Sequence, residues 1–343
     1  MIGMPKKLNL RIVLTALLLF LCSCQPQTDS WQAYQQHFIS TDGRVFDSGN
    51  QGISHSEGQG YAMLLAFDAG DQKTFAKLWD WAKRNLQVRR DFLLAWRYEQ
   101  GRGVTDQNNA SDGDILVAWA LLKAGQNWQR PEYSKQGRNI LADVRNKLIR
   151  HWQGKPVLLP GDHGFEDKKK LTINLSYWVF PALADFRRFD PDPVWQQLIE
   201  HGQQLQQQAR FGRWNLPPNW LDLQDEMSIS DKYPPRFGYD AIRIPLYLLW
   251  QGVMSEKNAK RFLAFADDSL AQKGYLSPTA NLKTDQLAEY PAPDGIAAIY
   301  CLLQAATNKR ILECPAEKRD ENYYSTTLGL LSKQVARERL QQP

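Results

Sequence analysis

The chain is poor in the residues and patterns that mark metal-binding, nucleic-acid-binding or membrane-spanning proteins. Histidine is scarce: only His37, His55, His151, His163 and His201 occur, none at ligand spacing, so a zinc site has little support. There are four cysteines, two of them within the first 24 residues, too few for a disulfide framework. Net charge is small. The full 343 residues carry +5, and Lys6, Lys7 and Arg11 supply three of those charges. The remainder is close to neutral, which removes the electrostatic case for a nucleic-acid partner and favours an uncharged or weakly charged one. Beyond the N-terminus no apolar run could cross a bilayer. Linkers, low-complexity runs and repeated motifs are also missing, which argues for one domain and against a solenoid.

What is present begins with a leader. Lys6, Lys7 and Arg11 flank the start of an apolar stretch over 12–22, too short for an ordinary span and suited to a cleaved export signal. Leu21-Cys22-Ser23-Cys24 resembles a bacterial lipobox with Cys24 as the lipidated residue; plain secretion with cleavage nearby is the other reading. Gln25, in place of Asp, favours sorting to an outer membrane. The expectation is a lipoprotein-type signal over 1–23 and one domain over 24–343, exported to the periplasm on an outer-membrane lipid anchor. An exported compartment allows Cys301 and Cys314 to pair. Cys301 lies in the apolar run Ile296 to Leu303, so a buried free thiol fits it as well.

Two kinds of helical segment alternate. Tyr61 to Phe67, Ile115 to Leu122, Tyr177 to Phe186, Ala241 to Trp250 and Ile296 to Ala306 are apolar nearly all round. Others carry one stripe: Phe75, Leu78, Trp79, Ala82 and Leu86; Ile140, Leu141, Val144 and Leu148; Val194, Trp195, Leu198, Ile199 and Leu205. A helix apolar on all sides must be covered on all sides, whereas a striped one faces water. The pairing predicts an inner ring wrapped by an outer ring, a mainly α (α/α)6 barrel of about twelve helices. Strand signals are sparse, and Pro156-Val157-Leu158-Leu159 with Gly161 and Gly164 predicts a single small β-hairpin. In such a ring all inner helices run the same way and their N-termini surround one mouth.

Three acidic motifs sit at the starts of inner-type helices: Ser54-His-Ser-Glu57-Gly-Gln-Gly60-Tyr61, Ala110-Ser-Asp112-Gly-Asp114 and Gly238-Tyr-Asp240-Ala-Ile-Arg243. Ser54-x-x-Glu57 and Ser111-x-x-Asp114 also fit helix caps, and acidic residues suit any first helical turn. Gly58 and Gly60 in a first turn each cost up to about 1 kcal/mol relative to alanine. Glycine there removes bulk beside the carboxylate and would let a large substrate approach. Asp112 and Asp114, two residues apart, cannot share a helical face; one can cap while the other looks into a cleft. Two or three carboxylates around one cleft are the minimum for hydrolysing a glycosidic bond.

Ser56-Glu57-Gly58-Gln59-Gly60-Tyr61 and Ala110-Ser111-Asp112-Gly113-Asp114 resemble the two signatures of glycoside hydrolase family 8, closest to the periplasmic endoglucanases associated with bacterial cellulose synthesis. Asn174-Leu-Ser-Tyr177, where the family commonly has Asn-Pro-Ser-Tyr, and Tyr239-Asp-Ala-Ile-Arg243 extend the resemblance from about Trp31 to Tyr324. It implies an (α/α)6 barrel and an inverting endo-β-1,4-glucanase that needs no metal or other cofactor. By the resemblance Glu57 matches the proton donor and Asp240 the general base. Asp112, the signature aspartate, is expected to hold the sugar and orient water, with the choice of base between Asp112 and Asp240 left open. The implied partners are a cellulose-type β-1,4-glucan chain and the cellulose synthase and export machinery, with the enzyme as a monomer.

Arg243, three residues on from Asp240, is expected on the same face, holding its charge. Tyr177 is expected to orient water or touch the sugar, although a core role suits it nearly as well. Trp and Tyr number 12 and 13 and offer flat faces that stack on pyranose rings. Loop positions make Trp96, Tyr98, Trp214 and Trp220 the expected platforms, while Trp119 and Trp250 are assigned to core. His55 is expected to be a solvated residue ahead of its helix, and Tyr323 and Tyr324 to close the barrel. Xylan or chitosan as substrate, a non-catalytic glucan-binding accessory and a polysaccharide lyase are the rival readings. An intact acid and base argue against the binder, and a chain near neutrality against a uronic-acid substrate.

Overall fold

The computed structural model describes residues 26–307, 310–314 and 322–340; the leader and Cys24 lie outside them. Six helices form an inner ring: α2 (Ser56–Asp68), α4 (Ser111–Asn127), α6 (Phe180–Phe189), α8 (Arg243–Gln251), α10 (Asp294–Thr307) and α11 (Tyr323–Arg339). Each packs on the next in that order, and α11 closes on α2. The outer helices are α1 (Pro26–Phe38), α3 (Gln72–Asn85), α5 (Pro131–Leu148), α7 (Val194–Gln208) and α9 (Glu256–Lys273). Of these, α3 lies on α2, α5 on α4, α7 on α6, α9 on α10 and α1 on α11.

Hydrophobic pattern decides which helix goes where. From Ser111 to Leu122 every residue of α4 is buried, whereas α3 buries only Phe75, Leu78, Trp79, Trp81 and Ala82 along one stripe. All three expected striped segments are outer helices. Trp119 and Trp250 meet edge to face in the core, with ring centroids 5.2 Å apart. Diametrically opposed α2 and α8 are joined through the middle of the ring by Tyr61 and Tyr247, whose hydroxyls lie 2.5 Å apart.

Eleven helices occur among the described residues, in line with the about twelve expected. Among the described residues no outer helix stands between α10 and α11, where only 310–314 are described. That segment is irregular. A Cys301–Cys314 disulfide ties it to α10, and Gln304 on α10 accepts the amides of Ile311 and Leu312. The cysteines thus take the paired form of the two that were open.

The expectation of a single hairpin falls short. β1 (Ser54–His55), β2 (Ala95–Glu99) and β3 (Gly103–Asn109) make an antiparallel sheet of three. β4 (Ile149–Trp152) pairs with β5 (Lys155–Leu158); β6 (Glu166–Asp167), β7 (Lys170–Ile173), β8 (Leu221–Leu223) and β9 (Met227–Ile229) form a sheet of four; β10 (Arg236–Phe237) pairs with β11 (Ala280–Asn281). Most of these strands are too short to show an alternation, and several pair with distant partners, so local patterning cannot reveal them. Pro156 to Leu158 is a strand as expected. It turns back through Gln153 and Gly154, both left-handed, rather than toward Gly161 and Gly164.

The proposed caps do not form. His55, not Ser54, caps α2: its Nδ1 accepts the Gly58 amide at 3.0 Å. Ala110 precedes α4 and offers no side-chain cap, and Asp114 is occupied elsewhere. Gly60 of the first motif and Gly113 of the second also have another purpose than substrate access. A methyl group on Gly60 would lie 2.6 Å from Leu116 Cβ, and one on Gly113 would overlap Ser56 Oγ and lie 2.7 Å from the Glu57 amide nitrogen. Glycine lets α2 and α4 cross closely enough to bring their N-termini together. Gly113→Ala should therefore lower stability by about 1–3 kcal/mol, read as a fall in denaturation midpoint at unchanged slope. Unchanged stability would contradict this packing role.

Candidate active site

The starts of α2, α4, α8 and α11 open on one cleft of about 450 Å³. Ser56 and Glu57 reach it from α2, Ala110 and Asp112 from α4, Tyr239, Asp240 and Arg243 from α8 and its approach, and Asn322 and Tyr324 from α11. Tyr177, from the 3-10 turn before α6, and Trp96, from β2, complete the wall. Three acidic motifs far apart in sequence therefore converge, because parallel inner helices present their starts at the same end.

Arg243 holds the three carboxylates together. Its Nη1 is in contact with Glu57 Oε1 and donates to Asp112 Oδ2 at 2.9 Å, while Nη2 lies 3.5 Å from Asp240 Oδ1. Nη2 also donates to Ser176 Oγ at 3.0 Å, and the guanidinium stands 5.5 Å from the centre of the Tyr177 ring. The expected pairing of Arg243 with Asp240 is thus one contact of several, and the shared guanidinium limits how far apart Glu57 and Asp240 can lie. Tyr61, which receives a 3.3 Å hydrogen bond from Arg243, and Tyr247 beyond it are fully buried behind the guanidinium.

The carboxylates differ in surroundings. Asp112 is 2% exposed, whereas the Asp240 side chain keeps 32% of its surface open to the cleft. Burial pushes Asp112 up to about 8; the Gly113 amide opposes this and the charge of Asp240 adds to it. Burial likewise pushes Asp240 up to about 6, against the pull of Arg236 and a hydrogen bond from Asn174. Glu57 divides its oxygens. Oε1 faces Arg243 and Tyr61, while Oε2 faces His55 Nδ1 at 3.8 Å. His55 is not solvated as expected; it is half-buried between Glu57 and Asp47, with its Nε2 3.6 Å from Asp47 Oδ2.

Two signature residues hold the frame. Asp114 is buried and accepts the Leu94 amide at 2.8 Å and the Asn109 side-chain amide at 2.7 Å, anchoring β2 and β3 to α4. Gln59, also buried, accepts the Val45 amide and donates to the carbonyls of Gly43 and Leu78.

Of the expected platforms, Trp96 lines the cleft and donates to Asp106 at 2.7 Å. The other three do not line it. Tyr98 faces inward, edge-on to Trp81 at 5.1 Å. Trp214 is 6% exposed, packed on Phe265 and bonded to Asp268. Trp220 stands next to Tyr177 but stacks with Phe165 and Tyr233 at 5.8 and 4.2 Å. A loop in sequence can fold against the barrel, so loop position alone was a poor guide. Sequence reasoning also missed Asp47 and Asn50, which line the cleft from the turn before β1; their signal was a run of turn-forming Asp, Ser, Gly and Asn upstream of the first motif. Tyr323 is buried against Tyr34, Phe38 and His55, and Tyr324 donates to the Tyr239 carbonyl at 2.5 Å, so the pair does close the ring.

Comparison with known proteins agrees with this geometry. The sequence model described as "Glycosyl hydrolases family 8" matches residues 4–338. A probable endoglucanase of Novacetimonas hansenii is 39% identical over 306 residues, covering 88% of each chain. An endoglucanase of Cellulomonas uda is 37% identical, covering 72% of this chain and 70% of its own. Among solved structures, the endo-beta-1,4-glucanase CMCax from Acetobacter xylinum superposes with a TM-score of 0.83 at 38% identity, over 91% of this chain and 98% of that one.

Removing the shared cation should expose its electrostatic role. Arg243→Met leaves the carboxylates without their common partner and should destabilise the fold by about 3–5 kcal/mol near neutral pH. The sign of the pH effect follows from the raised carboxyls: folded-state groups that bind protons more readily than unfolded ones favour the fold at low pH, and that contribution is lost as pH rises through about 6 to 8. The deficit relative to wild type should therefore shrink as pH falls from 8 to 5. A deficit independent of pH in thermal melts would contradict the assignment.

Proposed function

The chain belongs to glycosyl hydrolase family 8, and on that premise we propose that it hydrolyses internal β-1,4 linkages of a glucan chain, with inversion, through Glu57 as acid and Asp240 as base. The observation carrying this reading is that Glu57, Asp112 and Asp240 share one guanidinium in one open cleft. An acetal is inert until its leaving oxygen gains a proton as the bond lengthens. Three carboxylates around one guanidinium cannot all be ionised without two uncompensated charges; burial already favours a proton on Asp112, and the acid role requires one on Glu57 as well. Oε1 of Glu57 faces Arg243, which leaves Oε2 as the oxygen to bear that proton. Asp240, more open to the cleft, removes a proton from the water that attacks the opposite face of the ring.

Asp112 is too enclosed to work on bulk water and is bound to Arg243; its role is to hold the sugar at the cleavage point. Tyr177, beside Arg243 in the cleft wall, is placed to touch the sugar or the water, and Trp96 offers a stacking face. That 32% of the Asp240 side chain stays open supports access by a glucan chain.

The setting is also proposed. Residues 1–23 serve as an export signal and 24–343 as one catalytic domain, with Cys24 tethering a monomer to the periplasmic face of the outer membrane. The basic-apolar leader and lipobox-like Leu21-Cys-Ser-Cys24 support this. There the enzyme would trim nascent cellulose beside the synthase; deletion that leaves cellulose yield and fibre form unchanged would count against it.

Glu57→Gln is the direct test of the chemistry. It should lower kcat on carboxymethylcellulose by about a thousandfold or more while glucan binding persists, as measured by reducing ends and affinity electrophoresis. An inactive wild type would contradict the function, and a fully active variant would contradict the acid.

A further inference from the structure

We propose that His55 is a positioning residue for the acid: held as its Nε2–H tautomer, it occupies the Gly58 amide and turns a ring lone pair toward Glu57 Oε2, so that this oxygen keeps its proton. The inference deepens the function proposed above and rests on it.

The cap fixes the tautomer. A backbone N–H can only donate, so His55 Nδ1, which takes the Gly58 amide at 3.0 Å, carries a lone pair. The proton of a neutral imidazole is then on Nε2. That nitrogen faces Asp47, whose Oδ2 lies 3.6 Å away. Asp47 is held in turn, because its Oδ1 accepts the Gly49 amide at 2.9 Å and its main chain bridges to Ile53. An amide at one ring nitrogen and a carboxylate at the other select the same tautomer.

The ring is also held in place. His55 pairs with Arg97 across β1 and β2, and Tyr323 meets the imidazole edge-on at 5.8 Å. Gly58 leaves room for both. A methyl group on it would lie 3.2 Å from His55 Cε1 and 2.9 Å from the Tyr323 hydroxyl oxygen. Glycine at 58 thus lets the imidazole close over the amide that it caps.

Glu57 stands between opposing influences. Oε1 contacts Arg243 on α8 and Tyr61 on α2, and the cation favours the charged form. Oε2 lies 3.8 Å from His55 Nδ1. A lone pair there repels a carboxylate oxygen, and the charge of Asp47 behind the ring adds to the repulsion. Across Arg243 stand Asp112, which burial holds toward its neutral form, and Asp240, whose charge also opposes ionisation of Glu57. The hydroxyls of Tyr61 and Tyr323 stay protonated. Amides in the first turn of a helix ordinarily stabilise an anion; with the Gly58 N–H taken by His55, that help is withheld from Glu57. Without the ring, water or the freed amide would meet Oε2, and either favours the charge.

His55 also caps α2, so the test must separate support of the helix from support of the proton. His55→Ala frees the amide and removes the lone pair. In the full-length protein it should move the basic limb of the kcat/KM profile down by about one pH unit. Activity on the alkaline side should then fall about tenfold, with the acidic limb in place. His55→Asp keeps an acceptor for the Gly58 amide and offers Glu57 no donor, so its basic limb should stand at or above that of wild type. Nitrogen NMR of wild type at neutral pH should show the His55 ring proton on Nε2.

A basic limb that stays in place in folded His55→Ala, or falls alike in both variants, overturns the inference while the function stands. A ring proton on Nδ1 overturns it as well, even where neither variant folds. Absence of glucan cleavage by wild type would instead overturn the function, and the inference with it.

Discussion

One buried guanidinium organises the centre of this molecule. Arg243 touches carboxylates from three helix starts, the buried Tyr61 hydroxyl and the buried Ser176 hydroxyl. A cation so enclosed is tolerated only because it is surrounded by anions, and the anions are tolerated close together only because of the cation. That mutual dependence sets the tolerance of the whole ring: the starts of α2, α4 and α8 must meet within the span of one side chain. Glycine at 60 and 113 permits the approach of α2 and α4, and the Tyr61–Tyr247 contact holds α2 opposite α8.

Electrostatics then divides the labour among similar groups. Asp112 and Asp114 are two residues apart in sequence, yet one faces the cleft and the other anchors β2 and β3. Glu57 presents one oxygen to Arg243 and the other to His55, and Asp240 is the most exposed of the three carboxylates around Arg243. An acid and a base can coexist in one cleft because burial, a shared cation and local donors act on each to different extents.

Much of this was legible in the sequence because it depends on periodicity and on short motifs. Helices apolar all round became the inner ring and striped ones the outer ring, since burial on every side and burial on one side leave different patterns. The acidic motifs met because parallel helices place their starts together. What stayed hidden depends on side-chain direction and on long-range pairing. The Ser54 and Ser111 caps were plausible by spacing, but His55 takes the first and Asp114 is drawn to Leu94 and Asn109. Tyr98 and Trp214 read as exposed because they lie outside helices, yet each is packed against the barrel. The sheets escaped notice because strands as distant as β7 and β8 pair with each other.

The central claim is that acid and base act from two sides of one bond with a water between them, and the anomeric form of the first product tests it most directly. Proton NMR during hydrolysis of a defined cello-oligosaccharide should show the α-anomer accumulating first and mutarotating afterwards. Initial release of the β-anomer would mean a covalent intermediate and two carboxyls closer together, and would contradict the assignment of Glu57 and Asp240.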